Sequence, residues 1–189
     1  MPGDTITQNT AEPVPERSKA AALAPIRIAP PGAEDAAEVH ALIAACPPLD
    51  TNSLYANLIQ CTHFARTCAV ARINGRVVGW ISGHLPPGRD DTFFLWQVAV
   101  HPDARGLGLA KLMLADILAR PEQAKVRQIE TSITRENDAS WGLFRGLARW
   151  LGAPLRDAPW FDRDRHLAGR HPSEFLVTIG PFRAPPGNV

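Results

Sequence analysis

The sequence predicts a single α/β domain, a mixed and mostly antiparallel β-sheet flanked by helices. Three features predict it. Between Trp96 and Leu118, a β-branched run with Val98 and Val100 meets Pro102, then a glycine-bearing turn, then a long apolar stretch. Asn74-Gly75 stands between two apolar runs, and it is the dipeptide that two-residue hairpin turns prefer. A second strand and helix follow at Gln128 to Ile133 and Ala139 to Leu151. A helix, a hairpin and then alternating strands and helices give a mixed sheet covered by helices.

The elements are expected in this order. Ile26 to Ala29 is a short strand before Pro30-Pro31, and Ala33 to Ala45 is a helix with Ala36, Val39, Leu42 and Ile43 on its apolar side. A second helix runs from Ser53 to Gln60, capped by Ser53 or Asn52. Thr67 to Ile73 and Val77 to Ile81 form the hairpin, and Phe93 to Val100 the next strand. The helix from Gly108 to Arg120 stops at Pro121, which cannot continue it. After the second strand–helix pair, Glu174 to Ile179 supplies a last strand before Gly180-Pro181.

At 189 residues the chain fits one domain, and 45% hydrophobic residues suffice for a core. Residues 1–25, rich in Pro, Ala, Thr and Glu, have no basic start with an apolar core behind it. They are expected to be a disordered leader, residues 26–182 the folded domain and 183–189 a frayed tail. The net charge of +1 speaks against nucleic acid or an anionic membrane as main partner, and no run approaches a membrane span. Cys46, Cys61 and Cys68 are odd in number and form no CxxC pair. They are expected to be free, mostly buried thiols in a reducing cytoplasm, with no metal site.

Strand, small-residue turn and helix together make a phosphate-binding device. A helix N-terminus carries unpaired N–H groups and partial positive charge, and small residues let an anion reach them. Gly106 and Lys111 do not fit the spacing GxxxxGK[ST] of a P-loop. Gly106 and Gly108 begin a dinucleotide fingerprint, but Lys111 fills its third small position. What remains is Arg-x-x-Gly-x-Ala at Arg105, Gly108 and Ala110 after a strand ending Val-Ala-Val. This resembles the pyrophosphate loop of the GNAT superfamily of N-acetyltransferases. Glu136-Asn137-Asp138-Ala139-Ser140 resembles that superfamily's next motif, although Asn137 or Asp138 also suits plain helix capping. The resemblance implies the acetyltransferase fold and an acetyl-CoA site made by Val98, Ala99, Val100, Arg105, Gly106, Gly108, Ala110, Lys111 and Asn137.

A more specific resemblance lies outside the loop. The run Cys46-Pro-Pro-Leu-Asp50-Thr-Asn52-Ser53-Leu-Tyr55, with His63-Phe64, is similar to the diaminobutyrate acetyltransferases of ectoine biosynthesis. The likeness extends over Ile26 to Phe182. It implies acetyl transfer to the 4-amino group of L-2,4-diaminobutyrate by a homodimeric enzyme. Such a substrate carries two ammonium groups and one carboxylate, so its site needs carboxylates, hydrogen-bond donors and shape. Asp50 suits one ammonium, Asn52 and Tyr55 offer hydrogen bonds, and Trp96 can wall the methylene chain and face a cation. Glu174 or His171 can take the second amine or serve as base. Each has a plainer use: Asp50 as a helix start, Tyr55 as a packing residue, Trp96 as core and Glu174 as a solvated strand residue.

The implied chemistry is direct attack in a ternary complex. An alkyl amine is protonated at neutral pH and must lose a proton first. The family's bulged strand is expected to present a backbone N–H near Val98 to the oxyanion. The family's usual proton donor to the leaving thiolate is a tyrosine seven residues after the motif asparagine. Here that position is Phe144. Two rivals stay open: an acetyltransferase for another small amine, and a non-catalytic CoA-binding sensor.

Overall fold

The computed structural model describes residues 25–183. The expected leader and tail lie almost entirely outside them. Seven strands form one sheet in the order β1-β2-β3-β4-β5-β7-β6. They are β1 (Arg27–Ala29), β2 (Ala69–Ile73), β3 (Arg76–His84), β4 (Thr92–Val100), β5 (Gln128–Thr134), β6 (Leu155–Phe161) and β7 (Glu174–Ile179). The helices are α1 (Ala36–Ala44), α2 (Leu54–Thr62), α3 (Leu109–Leu118) and α4 (Asp138–Leu151). All neighbouring strands run antiparallel except β4 and β5. The mixed, mostly antiparallel α/β fold is the one expected.

Two apolar clusters cover the two faces of the sheet. α3 and α4 bury Met113, Leu114, Ile117, Phe144 and Leu147 against Ile81, Phe93, Leu95, Ile129, Ile133, Val177 and Ile179. On the other face, α1 and α2 bury Val39, Leu42, Ile43 and Cys61 against Val70, Trp80 and Ala99. The β2–β3 hairpin turns at Asn74-Gly75, both in the left-handed region (φ 53° and 80°), as the dipeptide predicts.

Several boundaries differ from expectation. The first helix begins with a tight 3-10 turn at Ala33–Asp35, and Ala65–Thr67 is another such turn, so β2 starts only at Ala69. β3 runs on to His84. Ser53, not Asn52, caps α2: its Oγ accepts from the Ala56 amide at 3.1 Å. The strand β6 was not predicted at all. Its seven residues are exposed or half-buried, and Pro159 interrupts them, so it carries no apolar alternation. Its place at the sheet edge is where a proline is tolerated.

Candidate active site

The parallel pair β4 and β5 holds together only at Thr92–Gln128, Phe93–Ile129 and Phe94–Glu130. From Leu95 onward the strands separate, and β5 continues against β7 alone. This leaves one edge of β4 unpaired between Leu95 and Val100. The His101 amide donates to the Val78 carbonyl at 2.9 Å, on the β3 side. By strand alternation Ala99 also turns to β3, while the amide groups of Val98 and Val100 turn into the gap. The Val100 carbonyl accepts there from Cys46 Sγ at 3.4 Å.

The gap opens into a cleft of about 780 Å³. Its floor is Val98–Val100, one wall is Arg105 to Lys111, another is the first turns of α4, and Cys46 to Leu49 close it. All nine residues expected to hold the cofactor line this one cleft: Val98, Ala99, Val100, Arg105, Gly106, Gly108, Ala110, Lys111 and Asn137. Gly106 and Gly108 have φ of 79° and 72°, a region that strains any residue with a Cβ. Gly108 precedes α3 without a side-chain cap, so the first amides of that helix keep their donors free. On the α4 side, Gly142 and Gly146 leave the wall low. Asn137 both lines the cleft and caps α4, its Oδ1 accepting from the Ser140 amide at 3.1 Å. The capping reading and the cleft reading therefore hold together.

The bulge expected near Val98 sits earlier. Ser82 pairs with Gln97 and Gly83 with Leu95, so Trp96 is the extra residue on β4. Beside the bulge only glycine fits at position 83, where a Cβ would stand 2.3 Å from the Phe93 ring. Gln97, which the sequence reading missed, ties the Asp50–Asn52 segment to this bulge. Its Nε2 donates to the Asp50 carbonyl at 2.7 Å, and its Oε1 accepts from Asn52 Nδ2 at 3.2 Å. Asp50, Asn52 and Trp96 are thereby brought together. Trp96 is 52% exposed and so is no core filler, and Tyr55, on the first turn of α2, is 71% exposed.

Glu174 opens β7 opposite Thr134 and Phe161. Val177 and Ile179 belong to the α3–α4 core, so Glu174 faces the opposite side of the sheet, as Gln97 does two residues before Ala99. His171 is placed elsewhere. It lines a second cleft of about 530 Å³ with Arg135, Arg163, Arg170 and Phe175, and the Arg135 guanidinium lies 3.6 Å from the Phe175 ring centre. Phe144 is 4% exposed in the core beneath α4, whereas Ser140, Leu143 and Leu147 line the cleft. Cys46, Cys61 and Cys68 are free and buried; burial pushes the Cys61 thiol up to about 11 and the Cys68 thiol up to about 12. Among the described residues no cluster of His, Cys, Asp and Glu could hold a metal ion, and no helix is long and apolar enough to cross a membrane.

Known proteins resemble this chain in both sequence and fold. Residues 36–148 match the model of the acetyltransferase (GNAT) family. The chain is 51% identical over 163 residues to the L-2,4-diaminobutyric acid acetyltransferase of Methylotuvimicrobium alcaliphilum, covering 86% of this chain and 95% of that protein. It is 47% identical over 160 residues to the same-named protein of Halomonas elongata, covering 84% and 83%. Among solved structures, it is similar to the diaminobutyrate acetyltransferase EctA from Paenibacillus lautus in complex with its substrate L-2,4-diaminobutyric acid and coenzyme A. The TM-score is 0.80 at 34% identity, covering 87% of this chain and 99% of that one. A sheet split after Phe94, a helix N-terminus behind two left-handed glycines, and relatives of this identity along most of their length lead to one assignment: the chain belongs to the GNAT acetyltransferases and, within them, to the L-2,4-diaminobutyric acid acetyltransferases.

Proposed function

We propose that this chain transfers the acetyl group of acetyl-CoA to the 4-amino group of L-2,4-diaminobutyrate, giving N4-acetyl-L-2,4-diaminobutyrate. The observation that carries the proposal is the split between β4 and β5, which joins the α3–α4 cleft to the face bearing Asp50, Asn52 and Trp96. The relatives' shared name supplies the substrate. We further read the reaction as a step of ectoine synthesis, an osmoadaptive pathway, carried out in the cytoplasm by a homodimer.

The cleft suits coenzyme A on its own chemistry. The free amides of α3 can take the pyrophosphate, with Arg105 and Lys111 adding charge. Gly106 and Gly108 leave room, since a Cβ at either would meet nothing within 4 Å. Asn137 stands at the α4 wall for the pantetheine arm. When bound, acetyl-CoA supplies the acyl group as a thioester.

The chain's own groups do the rest. Asp50 pairs with a substrate ammonium, Trp96 walls the methylene chain, and Asn52 and Tyr55 border the site. Glu174 takes the proton from the attacking amine or pairs with the second one; His171 stands in the second cleft, with Arg135, Glu136, Arg163 and Arg170. The Val98 N–H, turned into the gap, is the donor for the developing oxyanion. Phe144 gives no proton, so the thiolate either leaves unprotonated or takes a proton from water. Thiol release from acetyl-CoA on addition of diaminobutyrate tests the proposal, and its absence would favour a non-catalytic CoA-binding protein.

A further inference from the structure

Among the described residues, Gln97 is the sheet side chain that hydrogen-bonds the Asp50–Asn52 segment. It is 8% exposed, and both ends of its amide are used inside the protein: the donor on the Asp50 carbonyl, the acceptor on Asn52 Nδ2. Leu49 fixes the start of the segment, packed on the α1–α2 cluster with its amide donating to the Cys46 carbonyl at 3.1 Å, and Ser53 caps α2 at its end; among the described residues no other hydrogen bond holds the stretch between them. Past Leu49 the segment has no apolar anchor: Asp50, Thr51 and Ser53 are exposed. Two hydrogen bonds to a single buried amide therefore fix where the Asp50 and Asn52 side chains stand relative to Trp96.

The location of Gln97 matters as much as its bonds. The bulge at Trp96 breaks the strict alternation of β4, setting Trp96 and Gln97 next to each other where the ladder shifts from Leu95 to Gln97. The residue after Gln97 is Val98, whose amide faces the gap. One stretch of three residues thus carries the acceptor wall, the loop clamp and the oxyanion donor. We propose that Gln97 is a positioning residue that clamps the acceptor loop onto β4, so that affinity for the diamine depends on it while affinity for acetyl-CoA does not. The proposal rests on the reading of Asp50 and Asn52 as acceptor residues.

The test replaces Gln97 by Met, of similar volume and without hydrogen bonds, and by Glu, which keeps the acceptor for Asn52 and loses the donor to Asp50. For Gln97→Met the KM for diaminobutyrate is expected to rise about tenfold or more while the KM for acetyl-CoA stays within about twofold. Gln97→Glu should raise it as well, because the bond to the Asp50 carbonyl is lost. A double-mutant cycle with Asn52→Ala should be strongly non-additive, the double variant no worse than the poorer single one. Limited proteolysis at the exposed Asp50 by an Asp-specific protease gives a reading independent of turnover: cleavage there should speed up in both Gln97 variants while cleavage elsewhere in the fold is unchanged. Equal rises in both KM values, an additive cycle or unchanged cleavage at Asp50 would overturn the clamp. A wild-type protein that fails to acetylate diaminobutyrate would instead overturn the acceptor reading, and the proteolysis result would still decide on the clamp.

Discussion

Phe94 and Glu130 are the last residues to face each other across β4 and β5. Beyond that pair the two parallel neighbours part, and the Val98 and Val100 amides turn into the opening. The cofactor cleft lies on the α3–α4 side. The acceptor loop is tied to the other face through Gln97.

The turn before α3 gives the first prediction. Gly108→Glu places a carboxylate where the pyrophosphate is expected and forces a side chain onto φ 72°. Acetyl-CoA affinity should fall at least tenfold, about 1.4 kcal/mol. Gly88 has a similar φ of 77° and equally open surroundings in the β3–β4 turn, away from the cleft. Gly88→Glu is therefore the control: a comparable loss of Tm with unchanged affinity by calorimetry. Equal affinities in both variants would remove this loop from the cofactor site.

Asp50 gives the second. Ser53 already caps α2, so Asp50 is not needed as a cap. Asp50→Asn should leave Tm unchanged and lower kcat/KM for diaminobutyrate by ten- to several-hundredfold, about 1.5–3 kcal/mol for a charged hydrogen bond. The KM for acetyl-CoA should hardly move. Full activity in this variant would take Asp50 out of the substrate site.

Phe144→Tyr tests the missing proton donor. Phe144 is buried in the α3–α4 core, not on the cleft wall, so a new hydroxyl there lacks a partner and costs about 1–3 kcal/mol. Tm should drop and kcat should not rise. A faster enzyme would show that position 144 reaches the thiolate after all.

The thiols predict an alkaline limit. Cys61 and Cys68 ionise near 9 when unfolded but at about 11 and about 12 in the fold, because burial disfavours the thiolate. Below pH 9 both states hold these protons, and stability is unaffected by them. Between pH 9 and 12 the unfolded chain loses its protons first, so stability declines as pH rises. Thermal melts from pH 8 to 11 should show that decline, and Cys61→Ala with Cys68→Ala should flatten it. An unchanged slope in the double variant would assign the decline to other groups.

How far the sequence carried this account depends on local signals. That the nine expected positions line one cleft was legible because they are contiguous: one strand, one turn and one helix start hold eight of them between Val98 and Lys111. Asn74-Gly75 likewise announced its hairpin. The edge strand β6 was not legible, since exposed residues with Pro159 among them show no period. Gln97 was hidden for another reason. Its meaning comes from partners at Asp50 and Asn52, on a distant segment, and from a bulge at Trp96 that shows only in the register of β3 and β4. His171 and Glu174, three residues apart, go to different surroundings because the loop before β7 folds towards Arg135 while β7 alternates.

The central claim is acetyl transfer to the 4-amino group of diaminobutyrate, and a competition among amines tests it most directly. Thiol release from acetyl-CoA is measured with diaminobutyrate, ornithine, lysine, putrescine and diaminopropionate, and the product is identified by NMR. The account predicts the highest kcat/KM for diaminobutyrate, with acetylation at N4 alone. Faster turnover of putrescine, acetylation at the 2-amino group, or no thiol release with any amine would contradict it.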